Sequence, residues 1–134
     1  MNRFTAILTL MMVSFGSFSQ FNSMRTIQPD SVSYPNIYAK KLSSDSLSST
    51  FAIWVKLKVK MHKHVNHTEH VLVVEGAGDF TIGQESKSIV KGDLITIPKD
   101  TWHGVTVTSD VPLKVISVQS PEFKGKDRVF KNNE

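Results

Sequence analysis

Apolar and polar residues alternate along residues 50–61 (TFAIWVKLKVKM). Ile53, Val55, Leu57, Val59 and Met61 are interleaved with Trp54, Lys56, Lys58 and Lys60. A period of two sends successive side chains to opposite faces, so this stretch predicts a half-buried β-strand with one solvated face. The pattern recurs in shorter pieces. Residues 36–42, 71–74, 79–82, 85–90, 94–97, 104–107 and 113–118 are strand-like, and turn chemistry separates most of them. Gly76-Ala77-Gly78, Gly83-Gln84, Lys91-Gly92-Asp93, Pro98 and Ser109-Asp110 with Pro112 supply the breaks. Short strands every 8–12 residues predict an all-β sandwich or barrel. Closing into one small barrel would also remove exposed sheet edges. No window carries a sustained helical period, and room for a helix remains only after Pro121.

At 134 residues the chain suits one domain. Its first twenty residues read separately. Arg3 precedes an uncharged stretch, residues 4–18 (FTAILTLMMVSFGSF), and Ser17-Phe18-Ser19 gives a small-x-small exit. A short basic start, an apolar stretch and that exit are the marks of a secretory signal peptide over residues 1–19. The stretch falls short of the ~20 apolar residues that span a bilayer. The mature chain is therefore expected in the periplasm or the medium, with no stable membrane anchoring after cleavage. Residues 20–35 read as a linker or an arm lying on the domain, 36–123 as the barrel and 124–134 as a solvated or packing tail. Phe123 and Phe130 are candidates to tuck against the barrel.

The absence of Cys excludes a disulfide scaffold, a thiolate zinc site and a cysteine nucleophile. A formal net charge of +4, with scattered Lys and only two Trp and two Tyr, is not the clustered basic and aromatic footprint of a nucleic-acid binder. Four of the five His lie in residues 62–70 (HKHVNHTEH). His62 and His64 share a face of an extended backbone, and Glu69 opens the next apolar strand. A turn over 65–68 would bring Glu69 back beside the His pair. His103 follows at a strand–turn–strand junction beyond Pro98. Three imidazoles and a carboxylate form a mixed N/O donor set suited to a divalent transition ion such as Fe, Mn, Ni, Cu or Zn. If Glu69 points inward, Val71 and Val73 share its face, while His70, Leu72 and Val74 face out. His70 is then not a ligand. His67 falls in the turn, where a solvated loop position is favoured over a place beside the site.

The stretch from His62 to His103 resembles the cupin superfamily. Its first motif is Gly, five residues, His-x-His, three or four residues, Glu, six residues, Gly. His62, His64, Glu69 and Gly76 fall at those intervals. The second motif is Gly, five residues, Pro-x-Gly, two residues, His, three residues, Asn. Gly92, Pro98 and His103 fall in place. Lys56, Asp100 and Val107 depart from the pattern without touching the ligand positions. The resemblance implies a single small cupin β-barrel, or jelly roll, with metal ligands His62, His64, Glu69 and His103 in one mouth and a homodimer as a common assembly. It implies a range of chemistries: dioxygenase, decarboxylase, isomerase, or a non-catalytic small-molecule or carbohydrate-binding module. The first of these classes, a metal-dependent enzyme on a small oxygenated or anionic organic substrate, is favoured here. The sequence names no catalytic acid or base beyond guesses at His67 and Lys58.

One conflict stands in the pattern. Strict alternation from Val55 puts His62 and His64 on the face of Lys56, Lys58 and Lys60, not on the apolar face. Either a β-bulge near Lys60–Met61 resets the register, which is favoured, or Lys58 and Lys60 line the barrel mouth. Trp102 reads as a packing residue in preference to a pocket wall, and Trp54 as packing or interface.

Overall fold

A computed structural model describes residues 21–131. The signal-peptide reading of residues 1–19 lies outside the described residues. Among the described residues ten strands run in chain order: β1 (Ile37–Ser44), β2 (Ser49–Val55), β3 (Lys58–His64), β4 (Thr68–Glu75), β5 (Ala77–Ile82), β6 (Glu85–Val90), β7 (Leu94–Ile97), β8 (His103–Val107), β9 (Leu113–Ser120) and β10 (Arg128–Phe130). They form two antiparallel sheets, β1-β2-β9-β4-β7 and β10-β3-β8-β5-β6. The sheets face each other as an all-β jelly roll. Val55, Val71, Val73, Ile97, Leu113 and Val115 from the first sheet pack on Phe80, Ile89 and Val105 from the second.

The alternating stretch 50–61 is two strands, not one. β2 belongs to the first sheet and β3 to the second, and the chain crosses between them at Lys56–Leu57. Asn36 fixes that corner. Its Oδ1 accepts from the backbone N–H of Leu57 (2.9 Å) and Lys58 (3.3 Å), and its Nδ2 donates to the Lys58 carbonyl (2.7 Å). The Asn36 carbonyl takes the Lys56 N–H at 2.8 Å. Leu57, apolar in sequence, is exposed at the bend.

Beyond the corner, β3 is bulged against β8. The pairing runs Val59↔Val105 and then His62↔His103, so three steps on β3 match two on β8. The extra residue exchanges the faces of the strand. Lys58 and Lys60 stay exposed, whereas His62 and His64 turn inward and are buried. Gly104 lets the bulged strand come close: a Cβ there would sit 2.8 Å from the Val59 carbonyl oxygen and 3.0 Å from Met61 Sδ. At a later sheet crossing, Gly76 links β4 to β5 at φ 80°, where a Cβ would meet the Pro112 carbonyl oxygen at 2.9 Å.

The terminal segments dock on this frame. Lys114 is buried on the outer side of β9, and its ammonium donates to the carbonyls of Met24 (2.6 Å) and Ile27 (2.9 Å). It also lies 5.4 Å from the Trp54 ring centroid, which places Trp54 in the packing under the arm. The segment after residue 123 is no simple tail. It supplies β10, which pairs antiparallel with β3 through Arg128↔His64 and Phe130↔His62. Three residues are too few to reveal a period in sequence, and the room left for a helix after Pro121 is used by a strand.

Candidate metal centre

The bulge, the β3–β4 turn and the approach to β8 bring the four expected residues together. His62, His64 and His103 each offer a ring nitrogen, all within 4.8 Å of one another. Glu69 Oε2 lies 3.3 Å from His103 Nε2 and 3.6 Å from His64 Nε2. All four residues are at most 5% exposed.

The orientation of two imidazoles is fixed by backbone carbonyls. His62 Nδ1 lies 2.9 Å from the Lys60 carbonyl oxygen, and His103 Nδ1 lies 2.9 Å from that of Thr101. A carbonyl only accepts, so each Nδ1 carries the proton and each Nε2 presents a lone pair. His103 Nε2 and both nitrogens of His64 are buried without a hydrogen-bond partner. Buried polar atoms are nearly always paired, so nitrogens left bare and converging fit a cation that would satisfy them. Glu69 is held in turn by the first sheet: its Oε1 accepts from the Ser117 hydroxyl and, at 3.4 Å, from the Gln119 amide. Oε2 is left facing the imidazoles.

Electrostatics favour the ligating protonation states. Burial pushes the His62 pKa down to about 4, helped by His103, Arg128 and His64 and opposed by the bond to Lys60. Burial also lowers His64, with Glu69 opposing. For Glu69, burial alone would raise the pKa. The close approach of His103, the hydrogen bond from Ser117 and the nearby His64 outweigh it and hold the carboxyl at about 2. Neutral imidazoles beside an ionised carboxylate are the forms that bind a metal.

His62, Glu69 and His103 line a cavity of about 110 Å³ between the sheets, far larger than one water needs. Its walls are mostly apolar, including Ile53, Val55, Val71 and Val115, and Arg128 also lines it. Lys58 and Lys60 are not among the lining residues. The bulge therefore resolves the sequence conflict, and neither Lys serves as the cation of the cavity.

His70 points outward, with Nδ1 3.2 Å from Thr96 Oγ1. His67 is not a solvated loop residue: it is 5% exposed. Its Nδ1 bonds the Asp127 carboxylate and its Nε2 meets the Glu122 carbonyl at 2.9 Å. Asp127 also accepts from the Asn66 backbone (2.8 Å) and side chain (3.0 Å), so the β3–β4 turn is tied to the segment leading into β10. Burial would raise the Asp127 pKa, but Asn66 and His67 outweigh it and hold the carboxyl below its usual range. His64, His67 and Asp127 form a second cluster of ligand-type atoms, but both His67 nitrogens are already engaged. Sequence reasoning missed this clasp because its halves lie 60 residues apart. Trp102 is partly buried outside the cavity lining, with the Lys63 ammonium 5.1 Å from its ring centroid.

Comparison with known proteins gives the same architecture. An uncharacterised protein of Methanocaldococcus jannaschii is 34% identical over 94 residues, which is 70% of this chain and 73% of that protein. The structure of KdgF from Halomonas sp. superposes with a TM-score of 0.68 at 22% identity, covering 80% of this chain and 97% of that one. Streptomyces PAC13, solved with uridine, gives 0.64 at 19% identity over 72% and 78%. At such identities the two structures speak for the fold. The family profile described as the cupin domain matches residues 51–119, from the middle of β2 into β9, and so takes in all four converging side chains. With the profile, the motif spacing and the two-sheet barrel in agreement, the chain belongs to the cupin family.

Proposed function

We propose that this protein is a metal-dependent cupin enzyme that acts on a small oxygenated or anionic organic substrate. His62, His64, Glu69 and His103 would hold one divalent transition ion, and the periplasm or the medium is its proposed place of work. The observation that carries the reading is the convergence of bare, buried imidazole nitrogens and one carboxylate oxygen on a cavity with room for a ligand. A divalent ion bound there would supply Lewis acidity toward a substrate oxygen. The carbonyls of Lys60 and Thr101 keep the His62 and His103 rings aimed, Ser117 and Gln119 aim Glu69, and the apolar walls exclude bulk water.

A second reading, a non-catalytic binding module, is favoured by one observation. Among the described residues, no imidazole or carboxylate apart from His62, Glu69 and His103 lines the cavity. Elemental analysis of protein purified without chelator or affinity metal tests the proposal, together with His103→Ala. The expected result is about one divalent ion per chain, with metal and turnover lost in the variant while the far-UV spectrum is kept. Iron with oxygen uptake would indicate a dioxygenase. Manganese without oxygen uptake would indicate decarboxylation or isomerisation. Ligand-dependent stabilisation without product in any screen would move the assignment to the binding module, and protein that takes up no metal would overturn the metal-dependent enzyme and leave the binding module.

A further inference from the structure

We propose that Arg128, on the C-terminal strand β10, is the anion anchor of this cavity, and that the ligand is a small carboxylate with an apolar body. Arg128 lines the same cavity as His62, Glu69 and His103. Among the described residues no carboxylate pairs with it. The adjacent Asp127 is engaged by His67 and Asn66, Glu122 lies with Lys124, and Glu69 is bonded by Ser117 and faces His103. A guanidinium carries five donors in a planar fork that matches a carboxylate, so one left without an anion at a cavity is a ready binding group.

Its position is set by the fold. The pairing of Arg128 with His64 fixes its backbone, and the clasp between Asp127 and His67 fixes the residue before it. The Phe123 ring centroid lies 5.8 Å from the Arg128 Cζ and flanks the guanidinium on one side.

Charge and wall chemistry together select the ligand class. Three neutral imidazoles and one carboxylate around a divalent ion leave a net positive charge, and Arg128 adds another. A neutral ligand would leave that field uncompensated. A polyol would need hydrogen-bond partners along walls built from Ile53, Val55, Val71, Leu113 and Val115. A carboxylate with an aliphatic or otherwise apolar remainder meets both conditions.

The inference rests on the proposed metal site for the far end of the ligand, but the contact with Arg128 can be measured without metal. Isobutyrate and its neutral isostere isobutyramide are titrated into chelator-treated and zinc-loaded protein, with binding read by calorimetry and amide chemical shifts. Isobutyrate should bind and isobutyramide should bind at least about tenfold more weakly. Arg128→Gln should weaken isobutyrate about ten- to a hundredfold with an unchanged circular dichroism spectrum and unchanged zinc uptake. Arg128→Lys, which keeps the charge but not the fork, should fall between, and it carries the test if the Gln variant fails to fold. Equal binding of acid and amide, wild-type affinity in folded Arg128→Gln, or no isobutyrate binding in either form would overturn the inference. Protein that takes up no divalent transition ion but binds isobutyrate through Arg128 would overturn the proposed function and leave this assignment standing.

Discussion

At the scale of single residues, the candidate centre depends on groups that are not themselves donors to it. Glu69 would have two freely rotating oxygens were Oε1 not taken by the Ser117 hydroxyl and the Gln119 amide. Ser117 is fully buried, so its truncation would leave Glu69 Oε1 short of a partner where water has little access. Partners that orient a ligand typically account for 10–100-fold in metal affinity. Ser117→Ala should therefore weaken zinc by about that factor, measured by competition with a chromophoric chelator, with the stoichiometry unchanged. An affinity equal to wild type would mean that Oε2 is aimed by other contacts. Asp100 shows the same dependence in the backbone. It stands where the cupin pattern has Gly, and it adopts φ 57°, a left-handed conformation that Asp tolerates better than most residues. Its N–H bonds the His64 carbonyl at 2.7 Å and its carboxylate pairs with Lys63 at 2.6 Å, so the departure from the pattern is held by the strand that carries the histidines.

At the scale of elements, the β3 bulge decides whether there is a site. Without the extra residue, His62 and His64 would share the solvated face of Lys58 and Lys60. Gly104 opposite makes the bulge fit, because a Cβ would press on the Val59 carbonyl oxygen, which is backbone and cannot rotate away. Gly104→Ala should cost about 1–3 kcal/mol in a denaturant melt and should lower zinc affinity in parallel, since the strain falls between His62 and His103. Loss of stability with full metal affinity would show that the bulge relaxes away from the site. Much of this was legible in the sequence. The clash between the apolar face and the His-x-His face required a bulge or a lysine-lined mouth, and the spacing of Glu69, Pro98 and His103 located the remaining donors. The corner at Lys56–Leu57 was not legible, because the alternation continues through it and only Asn36, far off in the chain, marks the break. The burial of His67 was hidden for the same reason, since nothing in its own turn announces Asp127. β10 is too short to carry a pattern, which is why the sequence offered only Lys58 and Lys60, in the less favoured alternative, for the barrel mouth and did not bring Arg128 to the cavity.

At the scale of the whole molecule, the site joins the two sheets. His62, His64 and His103 come from β3 and β8 of the second sheet, whereas Glu69, Ser117 and Gln119 come from β4 and β9 of the first. An ion held by all four donors would cross-link the layers and bind the folded state alone, so its affinity adds directly to stability, by about 2.7 kcal/mol at a free concentration one hundred times Kd. Chelator-treated protein should accordingly melt several degrees lower than zinc-loaded protein. The pH dependence of the chelated form follows from the depressed pKa values. His62 titrates at about 4 in the fold against 6.5 in the open chain, so the unfolded state takes up the proton first as pH falls. The stability tied to a neutral His62 is present in full above pH 6.5 and is lost as pH drops toward 4, on the order of 3 kcal/mol in all. Glu69, held at about 2 against 4.5, adds a further loss that starts near pH 4.5 and runs to about 2. Scanning calorimetry of the chelated protein from pH 8 to 3 should therefore show a level melting temperature above about pH 7 and a steady fall below it. The zinc-induced increment should shrink over the same range as protons compete for the ligands. A melting temperature that rises as pH falls from 7 to 5 would mean that the imidazoles gain protons on folding, and would remove the electrostatic basis for a preformed metal site.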